Sequence, residues 1–317
     1  MTEGQSANQP EIDSELLKLV VMIPAFNEEE RVGQAVAAIR EEKENLRKAG
    51  YDQHVYVIDD GSTDKTLEIC RGADIDRIVR HKLNQGLGAA VRSGLKAAHQ
   101  DGADIVVKFD ADLQHDPKDI ADLVLPIKDD TADVVYGNRF ERIDYDMPFV
   151  RKVGNKVFTG LMRWLTKWPL QDSQPGIFAV NTSYLSVFHL PGDYNYTQQV
   201  LLDAYHKGMR FDHASVAFRK RETGKSFISM KYPFRVIPQI IMVLVSVRPM
   251  RIFGTIGLLF ILLGASVFIA EIGIWALADA AKPVRSVNLV MGSMLFGLQT
   301  LFFGILAQLI VEMKKSG

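Results

Sequence analysis

Three carboxylates fall within seven positions of the stretch KFDADLQHDP, residues 108–117: Asp110, Asp112 and Asp116. They follow directly on the apolar run Ile105-Val106-Val107, where a short buried strand would end. Like charges this close raise one another's pKa unless something positive lies among them. On an extended chain Asp110 and Asp112 project to one side, and Gln114 continues the series. Oxygen donors of this kind suit a hard divalent cation, Mg2+ or Mn2+, which takes one or two carboxylates and fills its shell with water and phosphate oxygens. The positive partner expected here is therefore a metal, and its usual companion a diphosphate. The plainer alternative is a solvated acidic loop. His115 faces the other way on an extended strand and is left out of the series.

Other polar segments stand at similar places. PAFNEEE (24–30) joins Pro24 to Asn27, a residue suited to capping a helix, with Glu30 three positions on. A simple strand-to-helix turn explains it equally well. VIDDGSTD (57–64) has turn chemistry at Asp60-Gly61 and Ser62 or Thr63 as a cap. A bare turn does not account for the adjacent carboxylates Asp59 and Asp60. NQGLGAAVRSG (84–94) opens a helix with glycines, which suits either a phosphate or close helix-on-sheet packing.

Strands are expected at residues 19–23, 54–58, 104–109 and 132–136, with helices over 28–49, 64–71 and 87–100 between the first three. This alternation predicts an α/β fold with a parallel sheet. In open α/β sheets ligands bind beyond the carboxyl ends of the strands, so the polar segments should line one crevice.

The chain has 317 residues and a net charge of −1, which gives no overall pull toward nucleic acid. Its one cysteine, Cys70, excludes a disulfide framework and reads as a buried small residue. MTEGQSANQP at the start lacks a basic and an apolar region and reads as a disordered tail. After about residue 230 the character changes. Residues 252–270 and 286–311 contain no charged side chain, and each run is long enough for a membrane span of roughly 20 residues. Two buried helices of a soluble bundle are the alternative. PFRVIPQIIMVLVSVRPM (233–250), broken by Pro233, Pro238 and Pro249, reads as helices lying at the membrane interface. Lys225, Lys231, Arg235, Arg248 and Arg251 before the first run, with Lys314 and Lys315 after the second, put the large domain on the cytoplasmic side. The expected organisation is a tail to residue 17, a catalytic domain over 18–230, interfacial helices over 231–251 and two spans over 252–313. Glu271, inside the first run, is a candidate functional charge that lies close enough to the end of the run to reach the interface.

PAFNEEE, VIDDGSTD, NQGLGAA, FDADLQHDP and GNRF (137–140), in this order, resemble family 2 glycosyltransferases. QDSQPGIF (171–178) and RKRETGKS (219–226) resemble the branch containing dolichol-phosphate mannose synthases and related polyprenyl-phosphate glycosyltransferases. The resemblance implies a GT-A fold, a nucleotide-sugar donor, a divalent metal and inversion at the anomeric carbon. It implies that Pro24, Ala25, Phe26, Asn27 and Glu28 hold the nucleoside with Asp59 or Asp60, and that Asp110 and Ala111 lie on the donor. Asp110, Asp112 and Gln114 would meet the metal, with Asp112 and Gln114 as direct ligands. Arg139 and Arg151 would meet the acceptor phosphate, with Asn155 where serine is common. Arg221 and Ser226 fall in a segment similar to a flap over the donor diphosphate. Ignoring the motif, Arg139 reads as a surface ion pair.

A lipid phosphate, with a second pKa near 6, is already a charged nucleophile at neutral pH, so no carboxylate base is needed. The expected reaction transfers a sugar, mannose from GDP-mannose first and UDP-glucose or UDP-N-acetylglucosamine otherwise, to dolichyl or undecaprenyl phosphate. The expected place is a cell membrane or, in a eukaryote, the endoplasmic reticulum, with a homo-oligomer as a further expectation. The rivals are transfer to a hydroxyl of a lipid-linked saccharide, for which neither a TED base nor a QxxRW segment is present, and a non-catalytic nucleotide-sugar-binding scaffold.

Overall fold

A computed structural model describes residues 16–143, 149–190, 196–219, 249–278 and 282–316. The chain divides into two units, Met1–Gly224 and Lys225–Gly317.

In the first unit the apolar run at residues 19–23 becomes the middle of β1 (Leu17–Ala25), and every residue from Leu19 to Ile23 is fully buried. A strand with no polar face must be covered on both sides, as α/β sheets require. The chain continues through α1 (Val32–Glu41), α2 (Lys43–Lys48), β2 (Tyr51–Asp59), α3 (Thr66–Gly72), β3 (Arg77–Arg80) and α4 (Leu87–Gln100). Next come β4 (Ile105–Lys108), α5 (Asp119–Lys128), β5 (Val134–Ile143), α6 (Phe149–Thr166), β6 (Phe178–Asn181), α7 (Thr182–Leu185), α8 (Tyr196–His206) and β7 (Phe211–Phe218). Seven strands form one sheet in the order β3-β2-β1-β4-β6-β5-β7. All neighbours are parallel except β6, which runs antiparallel to β4 and to β5. The carboxyl ends of β1, β2, β4 and β5 therefore point the same way.

Three expectations are corrected. The helix expected over 28–49 is two helices, broken at Glu42, and it starts only at Val32, with no side-chain cap. Asn27 does not cap it; its backbone is in the left-handed region (φ 53°) and its side chain serves the neighbouring loop. Neither Ser62 nor Thr63 caps α3; the side chain of Asp64 accepts the Thr66 N–H at 2.9 Å instead. The expected helix at 87–100 is present as drawn. Its Gly94 lies so close to the sheet that a Cβ would fall 2.6 Å from Met22 Sδ. That is the packing explanation for this glycine.

In the second unit two helices, Pro249–Ala278 and Val287–Ser316, are long and apolar enough to cross a membrane. Pro249, expected as a break, is the first residue of its helix, where a missing N–H costs nothing. The helices pack closely through Gly257 and Gly297: a Cβ on either would lie 2.7 or 2.6 Å from the other's carbonyl oxygen. Close backbone approach of this kind is how helices associate where no hydrophobic force separates them from lipid. Glu271 accepts the backbone N–H groups of Arg285 (2.8 Å) and Ser286 (3.1 Å), so the first helix satisfies orphan donors at the start of the second. The interfacial helices expected over 231–251 lie outside the described residues as far as 248.

Candidate active site

The ends of β1 and β2 are laced together. Asn27 N–H donates to Ser62 Oγ at 3.0 Å, and Asn27 Oδ1 accepts the Thr63 N–H at 2.9 Å. Glu28 N–H donates to Thr66 Oγ1 at 2.8 Å, and the Glu28 side chain pairs with Arg31. Pro24 and Ala25 close β1, opposite Ile58 and Asp59, and Phe26 beyond them is exposed.

Asp59 and Asp60 are adjacent, both buried, and have different tasks. Asp60 Oδ1 accepts Gln85 N–H (2.9 Å) and meets His81 Nδ1 (2.6 Å), while Oδ2 accepts Gly86 N–H (2.8 Å). The glycine loop is thus fastened to the sheet by a carboxylate, and these two amides are not open to a phosphate. Gly86 itself needs its left-handed φ of 93°. Asp59 spends Oδ1 on Ser62 N–H (3.0 Å). Its Oδ2 is buried without a hydrogen bond, with Arg80 Nε 3.5 Å away. Arg80, His81 and Lys82 line a cavity of about 230 Å³.

The acidic segment is a turn, not the extended strand that the alternation argument assumed. β4 ends at Lys108, and Leu113 has φ 58°. Nor does it wait for a metal to balance all of its charge. Lys108 is fully buried and places Nζ 2.5 Å from Asp110 Oδ1 and 2.7 Å from the Gly176 carbonyl, with the ammonium 5.3 Å from the centre of the Tyr196 ring. Burial alone would lower the Lys108 pKa, but Asp110 and Tyr196 together more than offset it and the pKa is raised. Arg219 donates to Asp116. Asp112 Oδ1 accepts Gln114 N–H at 3.1 Å, and Gln114 Nε2 donates to the Arg219 carbonyl at 3.0 Å, leaving the amide oxygen for a cation. Among the described residues no three His, Cys, Asp or Glu side chains converge as a closed metal site. An open site of one or two carboxylates and an amide oxygen fits Mg2+ or Mn2+ carried with a diphosphate.

His115 turns into the core, not away across a strand. Its ring lies 5.1 Å from that of Phe218, and both ring nitrogens are buried without hydrogen-bond geometry to any partner. Burial lowers its pKa to about 4, so the ring is neutral.

Arg139 is not on the surface. Its Nε lies 2.8 Å from Asp172 Oδ2, and its guanidinium sits 5.3 Å from the centre of the Phe218 ring. Asp172 Oδ1 also accepts Gln174 N–H (2.9 Å) and Asn155 Nδ2 (3.3 Å), so Arg139 and Asn155 meet on one carboxylate. Arg151 falls in the first turn of α6, where side chains are outside the described part, and Arg221 and Ser226 lie outside the described residues.

Sequence reasoning missed Lys108, Arg219 and Asp172. The signal for the first was present: a lysine closing the run IVVK, two residues before Asp110.

The family model for glycosyl transferase family 2 matches residues 20–188, more than half of the chain. This chain belongs to that family. A UDP-N-acetylglucosamine–dolichyl-phosphate N-acetylglucosaminyltransferase of Methanococcus voltae is 34% identical over 53% of this chain and 71% of its own length. A dodecaprenyl-phosphate galacturonate synthase of Rhizobium johnstonii is 28% identical over 93% of this chain and 88% of its own. Glucosyl-3-phosphoglycerate synthase of Mycobacterium tuberculosis, solved with Mn2+, UDP and phosphoglyceric acid, has the same fold. Its TM-score is 0.55 at 19% identity, over 73% of this chain and 78% of that one. The chain is thus a family 2 glycosyltransferase with a GT-A fold, and the names of the first two relatives are those of dolichyl-phosphate and dodecaprenyl-phosphate enzymes.

Proposed function

We propose that this enzyme transfers a sugar from a nucleoside diphosphate sugar to a polyprenyl phosphate at the cytoplasmic face of a membrane. The observation that carries this reading is a pairing within one chain. Asp112 and Gln114 follow β4, the Arg139–Asp172 ion pair starts from β5 of the same sheet, and two helices able to span a membrane come later in the chain.

Pro24, Ala25, Phe26, Asn27 and Glu28, with Asp59, hold the nucleoside, and Asp110 and Ala111 border the diphosphate. Asp112 and Gln114 would hold Mg2+ or Mn2+, with Asp110 beside them, and a cation there would supply positive charge against the nucleoside diphosphate. Arg139 and Arg151, with Asn155 and Ser226, hold the acceptor phosphate in line, and Arg221 covers the donor. An oxygen of the lipid phosphate forms the new bond to the anomeric carbon while the bond to the diphosphate breaks. The electron pair leaves with the nucleoside diphosphate, and configuration inverts. The protein's task is charge compensation and alignment, because the nucleophile needs no deprotonation.

The family resemblance puts GDP-mannose first among donors. One observation favours a uridine nucleotide: only Oδ2 of Asp59 is without a hydrogen bond, with Arg80 Nε 3.5 Å from it. Uracil presents one ring N–H, whereas guanine presents an N–H and an amino group side by side, which a carboxylate binds with both oxygens.

The test is transfer of labelled sugar into organic-extractable lipid, from a panel of GDP- and UDP-sugars with polyprenyl phosphate and Mn2+ or Mg2+. Transfer from one donor, abolished by chelator and by Asp112→Ala, supports the reading. Donor binding without transfer to any lipid phosphate overturns it.

A further inference from the structure

We infer that Lys108 is a positioning residue for the cation-binding turn, acting with Gly176 to hold that turn against the strap that carries Asp172. The inference rests on the proposed cation site at Asp112 and Gln114.

The geometry begins in the sheet. β4 and β6 are antiparallel, with Lys108 opposite Phe178. Continuing that register two residues past the end of β4 sets Asp110 opposite Gly176. The side chains follow suit: Lys108 Nζ reaches both Asp110 Oδ1 and the Gly176 carbonyl. The other Asp110 oxygen lies against Gly176 itself, because a Cβ built there would fall 2.9 Å from Asp110 Oδ2 and 2.4 Å from His115 Nε2. Position 176 has no room for any side chain while the turn keeps its place.

The strap before β6 also serves the opposite side. Gly137 N–H donates to the Ile177 carbonyl at 3.0 Å, Asn138 donates to Gln171, and Asp172 holds Arg139 and Asn155. One continuous set of contacts therefore runs from the cation turn, through Lys108 and Gly176, to the arginine cluster.

A fully buried lysine is expensive, and replacing such an ion pair with apolar groups is often neutral or stabilising. Packing alone gives no reason for a lysine here. Its three bonding directions to Asp110, Gly176 and Tyr196 do, since no apolar side chain could hold Asp110 at a set distance from the strap.

The experiment is a Mn2+ titration of the full chain in detergent, with UDP present, read by the electron paramagnetic resonance of free Mn2+. Parent, Lys108→Met and Gly176→Ala proteins are compared on the monodisperse fraction from size exclusion. Lys108→Met is expected to raise the Mn2+ concentration for half-saturation by about tenfold. Gly176→Ala, which leaves every charge in place, should raise it severalfold in the same direction. Should Lys108→Met fail to fold, Gly176→Ala alone decides. Parental half-saturation in the folded variants overturns the inference and leaves the cation site standing. A parent that takes up no Mn2+ overturns the cation reading and this inference with it.

Discussion

Arg139 Nε lies 2.8 Å from Asp172 Oδ2, and neither side chain has more than a few per cent of its surface in water. Arg139 belongs to GNRF and Asp172 to QDSQPGIF, so two motifs 33 residues apart share one buried ion pair. Removing one partner strands a buried charge, at a cost of about 3–5 kcal/mol. Arg139→Met and Asp172→Asn should each destabilise by an amount near that range. The double variant should lose less than the sum, with a coupling of about 1–3 kcal/mol. Urea unfolding of the full chain in detergent, followed by tryptophan fluorescence, measures all four corners of the cycle.

Acid should weaken the fold through Asp133. Its carboxylate accepts from the Arg210 guanidinium (2.9 Å), the Arg210 backbone N–H (2.8 Å) and Asn181 Nδ2 (2.8 Å). The Arg210 side chain leads in holding its pKa below the ordinary value. The folded pKa lies below the unfolded one, near 3.9, so the unfolded chain takes up the proton first as pH falls. The stabilisation is complete above the unfolded pKa and is lost as pH drops through the folded one. Asp133→Asn should cost about 1–2 kcal/mol at neutral pH. Its deficit against the parent should shrink as the pH of the unfolding experiment is lowered from about 5 to 3.

Cys70 should be unreactive in the native protein. It packs in the sheet core, and burial, reinforced by Asp59 and Asp64, pushes its thiol up to about 11. Thiolate is the reactive form, so a disulfide reagent at about pH 8 should label the protein only after denaturation. Stoichiometric labelling of folded protein would contradict the placement of α3.

Glu271 should be structural. It holds the Arg285 and Ser286 amides, and its loss should behave like the loss of a helix cap, about 1 kcal/mol. Glu271→Ala should lower the thermal midpoint in detergent while sugar transfer per folded molecule stays at the parent's level. A collapse of transfer at unchanged stability would assign it a role in the reaction.

Much of this was legible in the residues. The fully apolar run at 19–23 dictated a strand buried on both faces, and the helix at 87–100 followed from its pattern. The acidic segment was legible as the polar end of an apolar strand, though not as a turn. Two long charge-free runs dictated helices able to span a membrane, because apolar surface on every side has no other solvent. These signals are local, set by periodicity, turn chemistry and composition within one segment.

The pairing of distant segments was decided only by the tertiary structure. β6 is four residues long, and nothing in FAVN states that it will enter antiparallel between β4 and β5. That single insertion sets Gly176 against Asp110 and carries Asp172 to Arg139. It also explains why the positive partner of Asp110 within the protein is Lys108, which the sequence shows only as the end of an apolar run. Asp59 and Asp60 make the same point. They are identical in type and adjacent in sequence, yet one is spent on the Gly86 loop and the other keeps one oxygen without a hydrogen bond, facing Arg80, because the chain folded His81, Gln85 and Gly86 around only one of them. A hydrogen bond needs its partner within about 3 Å, and no one-dimensional pattern states which residues the fold will bring that close.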